Sequence, residues 1–367
     1  MSGTFELEQA CMLAEHGHEV SYIACVFHPF LRIKKWGYCQ WEEKAVHIYS
    51  YSQLFFPNRL KIHFDKFQAN IWQKLLSSVE ELEGTPDIIH LHYPTLISYP
   101  ETILRYASKG TRIVVTEHWT AVQTGSISKR QLIQLETYVN QAHQFICVGK
   151  PLSDSVKNLT NAKREIQVIP NIVPECFHCK YEKHSGFRFV AVGRLVPVKQ
   201  FDHLITAFYQ AYANCKDTSL VIVGDGSEMK KLQRLVRKLD ISDQVKLLGT
   251  LSREQTANII SDSDALICYS RLETFGVPVI EAWKSGIPVI ATTAIGFSEY
   301  WEDALGCLIP YDDDHFLIKS LKEIKENYNR YSKEYISQYA DRYFSESAIY
   351  EKLMKTYLSS SDVMDKI

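Results

Sequence analysis

Short apolar runs rich in β-branched residues alternate with amphipathic stretches along most of the chain, and the alternation occurs twice. The first set is HEVSYIAC, VHIYSY, IIHLHY, RIVVTEH, QFICVG and IQVIP; the second is FRFVAVGRL, LVIVGDG, VKLLGTL, ALICYS, IPVIATT and CLIPY. Strands separated by helical periods read as βαβ units with a parallel sheet, and two such sets predict two α/β, doubly wound, Rossmann-like domains. Between them NIVPECFHCKYEKHSG (171–186) loses the apolar period and gains Pro, Gly and charge, as a linker does. The expected domains are 1–174 and 175–343, followed by a C-terminal helix in 344–367 that returns to the first domain. Residues 4–16 read as a helix running through Gly17 into a strand, with no strand before it. A doubly wound sheet ordinarily opens on its central strand, so such a strand is expected upstream of Met1, legible there as in-frame apolar codons.

Composition narrows the partners. A length of 367 residues suits two domains, and a net charge of −2 excludes a general polyanion binder, so no nucleic acid is expected and any electrostatic site must be local. Nine cysteines, an odd number and several inside strands, suit a reducing cytoplasm. Cys176 and Cys179 flank His178, but no second pair completes four zinc ligands. No apolar run approaches a membrane span, and no secretory leader opens the sequence. FHPFLRIKKWGYCQW (27–41) interleaves Arg32, Lys34 and Lys35 with Phe27, Phe30, Trp36, Tyr38 and Trp41; it reads either as a dock for an anionic lipid surface or a lipid diphosphate acceptor, or as an ordinary edge loop. The expected location is therefore the cytoplasm, with a peripheral position at the inner face of the membrane left open.

Chemistry concentrates at strand ends. Arg194 closes the strand FRFVAVG and Lys199 opens the following helical pattern, which together form a phosphate-binding arrangement of fixed charge beside helix N–H groups. VGDGSE carries Gly-x-Gly after a strand without the full dinucleotide fingerprint, and Glu228 stands where close helix packing would want a small residue. In RLETFGVPVIEAW the helix is expected near Val277 with Pro278 in its first turn, so Phe275, Gly276 and Val277 present backbone donors, with Glu273 in the loop and Glu281 one turn into the helix. Asp262 and Asp264 precede a strand and read as part of its start rather than a metal site. His90 and His92 alternate on one strand face and read as packed or cleft-lining residues.

The runs VGRLVPVKQFDHLITAF, LVIVGDGSE, VKLLGTLS and ETFGVPVIEAWKSGIPVIATTAIGFSE, with fainter support from GHEV, PDIIHLHYP, VVTEHW and VIPN, resemble the retaining glycosyltransferases of family 4, of GT-B fold. The resemblance implies two Rossmann-like domains facing across a cleft. It also implies transfer of a sugar from a nucleoside-diphosphate sugar to a glycan or lipid-linked acceptor in cell-surface polysaccharide biosynthesis, with no metal and no cofactor. Arg194 and Lys199 match the cations on the diphosphate, Glu273 the carboxylate near the sugar, and His118 a first-domain histidine at the donor sugar; these four are the catalytic candidates. Glu281 matches the ribose-binding glutamate; Phe275, Gly276, Val277, Gly193 and Gly3 complete the donor site, Gly3 as the remnant of a first glycine-rich loop. Thr274 and Ile172 stand where the family usually has glycine. Two rival readings stay open: a nucleotide-sugar epimerase of the same fold, and an inactive partner subunit.

Overall fold

The computed structural model describes residues 5–28, 37–54, 61–97, 99–180, 184–213 and 215–359. Gly3 lies outside them, as do Phe30, Arg32, Lys34, Lys35, Trp36 and the side chain of Phe27 from the basic–aromatic segment. The chain divides into two compact units, Pro170–Ile349 and Thr4–Ile169 with Tyr350–Ile367.

Among the described residues, the N-terminal unit holds two sheets. Strands β1 (Val20–His28), β2 (Gly37–Glu43) and β3 (Val46–Leu54) form the order β1-β3-β2; β4 (Ile88–His92), β5 (Arg112–Glu117), β6 (Gln144–Cys147) and β7 (Gln167–Val168) form a parallel sheet in chain order. Strand β2 falls in the segment read as a dock or loop, and it pairs antiparallel with β3. Its turn is made by Lys44 and Ala45, both at positive φ (49° and 60°). Hairpin turns of this kind usually announce themselves by Asn-Gly or Gly-Gly, and their absence hid the strand. Tyr38 and Trp41 on β2 are exposed. The last helix, Glu346–Leu358, supplies Tyr357 to His90 (2.7 Å) and Thr356 to Gln167 (2.7 Å), bonding it to the second sheet. No helix of the described residues is long and apolar enough to cross a membrane.

The unit Pro170–Ile349 is built on one six-stranded parallel sheet: β8 (Phe187–Val192), β9 (Thr218–Val223), β10 (Val245–Leu247), β11 (Ala265–Cys268), β12 (Val289–Thr292) and β13 (Gly306–Ile309), in the order β10-β9-β8-β11-β12-β13. Helices cover it, so β11 and β12 are buried along their whole length and read as continuous apolar runs. Helix Phe201–Tyr212 buries Leu204, Ile205, Ala207 and Phe208, and Tyr212 donates its hydroxyl to the Leu321 carbonyl at 2.7 Å in the helix beside it. The helix Val277–Lys284 is anchored from its far end. Trp283 is fully buried against Phe297 (centroids 5.5 Å apart), Trp301 (5.3 Å) and Phe344 (6.2 Å), and its ring N–H donates to the Leu305 carbonyl. Removing such a side chain costs about 3–5 kcal/mol, so this cluster fixes the position of the helix start. Lys284 adds an ion pair with Glu175 (3.3 Å) and another with Asp341.

Candidate active site

Numbered within their own sheet, strands β8 to β13 run 3-2-1-4-5-6, so the chain reverses direction of travel across the sheet between β8 and β11. Loops leaving the carboxyl ends of those two strands part in opposite directions, which opens a crevice where ligands of such sheets bind. Of the sequence candidates, Gly193, Arg194, Lys199, Glu273, Phe275 and Gly276 lie on these two loops, and Val277 and Glu281 on the helix that follows the second. After β8 come Gly193, Arg194 and a single 3-10 turn, Pro197–Lys199; after β11 comes Ser270 through Gly276.

Lys199 and Glu273 meet there: the ammonium donates to Oε1 of Glu273 at 2.5 Å. Glu273 is only 8% exposed, and the same oxygen accepts from the Ser270 hydroxyl at 2.8 Å. Burial pulls the Lys199 ammonium down, but the Glu273 carboxylate outweighs it and the net shift is upward. Arg194 is close enough to act on Lys199 electrostatically; it is exposed and makes no ion pair among the described residues. The site thus holds one cation neutralised by a buried carboxylate and a second that is not.

The Gly-x-Gly turn of VGDGSE has a packing role. A Cβ on Gly224 would sit 1.9 Å from the Gly193 carbonyl oxygen, and one on Gly226 would sit 2.3 Å from that of Leu195. These glycines let the loops after β8 and β9 lie backbone to backbone, joined by Leu195 N–H to Asp225 O and Glu228 N–H to Leu195 O, each at 3.0 Å. Gly193 differs, because an added Cβ would meet only Phe201 Cζ at 3.7 Å. Packing does not demand glycine there. In the second loop it does: a Cβ on Gly296 would fall 1.8 Å from the Thr274 carbonyl oxygen.

Gly276 caps the helix Val277–Lys284 at φ 102°, a conformation that glycine adopts at no steric cost, with Pro278 in the first turn. Phe275 is buried against Phe297 at 4.9 Å. The backbone N–H groups of Phe275, Gly276 and Val277 have no hydrogen-bond partner among the described residues. They form a cluster of donors at the positive end of a helix. Glu281, one turn in, is 1% exposed and ion-paired with Arg253, whose guanidinium lies 4.9 Å over the Phe177 ring. Burial raises the Glu281 carboxyl above its ordinary range, and Arg253 opposes the rise. Asp264 accepts the Arg188 N–H at 2.7 Å, which puts the Asp-x-Asp pair at the junction of β11 with β8.

In the N-terminal unit His118 follows β5 and is 7% exposed. Its Nε2 shares a hydrogen with Nδ1 of His92 at 2.9 Å, and Phe5 (4.6 Å) and Tyr93 (5.0 Å) flank its ring. His90 stacks on His92 at 4.4 Å and bonds Thr116 at 2.7 Å. The neighbouring Glu117 is fully buried; Oε1 accepts the N–H groups of His118 and Trp119 at 2.8 Å each, while Oε2 and the His118 Nδ1 have no partner among the described residues. Burial pushes the Glu117 carboxyl up to about 7 and pulls His92 down to about 4, with His90 and His118 also well below the usual imidazole value.

These shifts set a pH profile. Below 6.5 the unfolded imidazoles take protons that the folded ones refuse, so acid costs stability. Between 4.5 and about 7 the folded Glu117 keeps a proton that the unfolded chain has lost, so raising the pH costs stability in that window. Three imidazoles outweigh one carboxyl through this range, because at pH 6.5 each unfolded imidazole is still about half protonated. The N-terminal unit should therefore gain stability as the pH rises and level off above about pH 7. Thermal melts of Glu117→Gln should show a steeper rise below about pH 7, because the opposing carboxyl is gone; an unchanged profile would contradict the buried, protonated carboxyl.

The structure therefore brings together Arg194, Lys199, Glu273 and the amides of Phe275 to Val277 in one unit, and places His118 in a histidine cluster in the other. Reading the sequence missed Arg253, Ser270 and Glu117 as contributors, and placed His92 only as a packed or cleft-lining residue without its bond to His118. Arg253 had a signal: it stands first in a helix capped by the Ser252/Gln255 box, where a cation opposes the helix dipole.

Comparison with known proteins agrees with this architecture. Residues 180–342 match the family described as Glycosyl transferases group 1, and residues 3–175 match Glycosyltransferase Family 4. The chain is 27% identical over 315 residues to the N-acetyl-alpha-D-glucosaminyl L-malate synthase of Bacillus anthracis, covering 81% of this chain and 77% of that one. Among solved structures, the sucrose-phosphate synthase of Thermosynechococcus elongatus superposes with a TM-score of 0.76 at 18% identity, covering 96% of this chain and 92% of that one. Anabaena HepE in complex with UDP superposes with a TM-score of 0.67 at 18% identity, covering 84% and 91%. With both halves matched and the GT-B architecture in place, the chain belongs to the family 4 glycosyltransferases.

Proposed function

We propose that the chain transfers a sugar, with retention of anomeric configuration, from a nucleoside-diphosphate sugar to a glycan or lipid-linked acceptor of cell-surface polysaccharide synthesis. The observation that carries this reading is the meeting of Lys199 and Glu273 at the strand-order reversal, beside a helix start with three unbonded amides. A diphosphate matches that arrangement: the amides and Arg194 meet one part of its charge, and Lys199 meets the rest. Gly193, where packing needs no glycine, leaves room for close backbone approach. Glu273 takes the sugar hydroxyls, Glu281 the ribose diol, and His118 is assigned to the transferred sugar.

In the proposed reaction the bond between C1 and the leaving phosphate oxygen breaks, and the acceptor oxygen bonds C1 on the same face. The acceptor proton passes to the departing phosphate. Stabilising the leaving charge is then the main task of the protein, and fixed cations and amides do it without reorganising during the step. The relative that makes an N-acetylglucosaminyl product and the neighbour bound to UDP make UDP-N-acetylglucosamine the first donor to test. Release of UDP should depend on added acceptor, and proton NMR of the product should show the α-anomeric coupling. Acceptor-independent release with an altered sugar would favour the epimerase, and a β product would overturn retention.

A further inference from the structure

Arg253 is the one residue bonded to Glu281 that no motif of the family brought into the site. Its placement is costly on several counts. It opens the helix Arg253–Ser261, whose N-terminus repels cations, yet its side chain is only 24% exposed. One face lies over the fully buried Phe177, 4.9 Å from the ring centroid, and its Nη1 reaches Oε1 of Glu281. Phe177 comes from the segment read as the interdomain linker, so the stretches bearing Phe177 and Glu281 meet through one guanidinium.

We propose that Arg253 is the positioning residue for Glu281, holding it ionised and oriented so that it can accept from both hydroxyls of the ribose. This rests on the reading of Glu281 as the ribose site. The chemistry is direct. An ionised carboxylate offers a vicinal diol two equivalent, charge-assisted acceptor oxygens, whereas protonation turns one of them into a donor and removes the charge that strengthens both bonds. A carboxyl 1% exposed loses its charge unless a cation stands beside it. The groups around Glu281 leave Arg253 in that role: Lys284, next on the same helix, is committed to Glu175 and Asp341, and Arg253 is the charged group that acts on the Glu281 carboxyl. Without it, burial acts unopposed.

Calorimetric titration with UDP tests this across pH, each variant expressed as a ratio to wild type so that protonation of UDP cancels. Arg253→Met should weaken UDP by about tenfold or more near pH 6 and by less than about threefold near pH 8.5, because the stranded carboxyl charges only in alkali. Arg253→Gln, which removes the charge but keeps a polar amide at the position, should show the same acid-side loss if the methionine variant fails to fold. A loss of equal size at every pH, or none, would overturn the inference, since a purely structural role predicts no slope. Glu281→Gln reports on the underlying reading separately: it should weaken UDP at every pH, and wild-type affinity in that variant would remove the ribose site itself.

Discussion

Replacing Lys199 with alanine should lower kcat/KM for the sugar donor by about two to three orders of magnitude, the range seen when a single preorganised stabiliser of developing charge is removed. The structure gives the reason. Lys199 is held by Glu273 at 2.5 Å, with Ser270 bonding the same carboxylate oxygen, so it stands ready before a substrate arrives and needs no rearrangement to meet a phosphate. Its folded-state affinity for the proton is raised, so the charge persists throughout the neutral range and is lost only as pH rises past the ordinary 10.5. The substitution also leaves Glu273 buried without its cation, so a lower melting temperature should accompany the loss of rate. Lys199→Arg separates the two effects by restoring charge and melting temperature while moving the donor group. Initial rates and melts of both variants check this; an alanine variant within about threefold of wild type would remove Lys199 from the chemistry.

Glu281→Ala should act on binding instead. Two hydroxyl bonds to a charged acceptor are worth about 1.5–3 kcal/mol each, and partial replacement by water leaves an expected rise in donor KM of about ten- to a hundredfold with kcat nearly unchanged. The helix bearing Glu281 is anchored by Trp283 and its aromatic neighbours, so the start of the helix should stay in place when one side chain is shortened. Steady-state kinetics distinguishes the outcomes. A fall in kcat with KM unchanged would move Glu281 from the nucleotide to the reacting sugar.

Most of the framework was legible because parallel strands buried on both faces leave continuous apolar runs. ALICYS and IPVIATT could be read as strands without knowing their neighbours, and Gly276–Val277–Pro278 announced a helix start by local backbone chemistry alone. Strand β2 escaped because it is an exposed edge whose turn uses Lys44 and Ala45 in place of glycine. The candidate site was legible where it sits on strand ends, as with Arg194, Lys199 and Glu273. It was illegible where a contact joins distant stretches: Arg253 with Glu281 and Phe177, or His92 with His118. Such pairs leave no periodicity along the chain. The two glycines of VGDGSE show the converse, a motif that looks like ligand chemistry and serves loop packing.

The central claim is that a nucleoside diphosphate binds at the strand-order reversal of the unit Pro170–Ile349, against the amides of Phe275, Gly276 and Val277. Hydrogen exchange of the full chain, followed by mass spectrometry with and without UDP, tests it most directly. The account predicts that UDP slows exchange in peptides spanning 270–284 and 193–200, the loops after β11 and β8. Binding of UDP with protection confined to other segments, or no protection at any concentration, would contradict it.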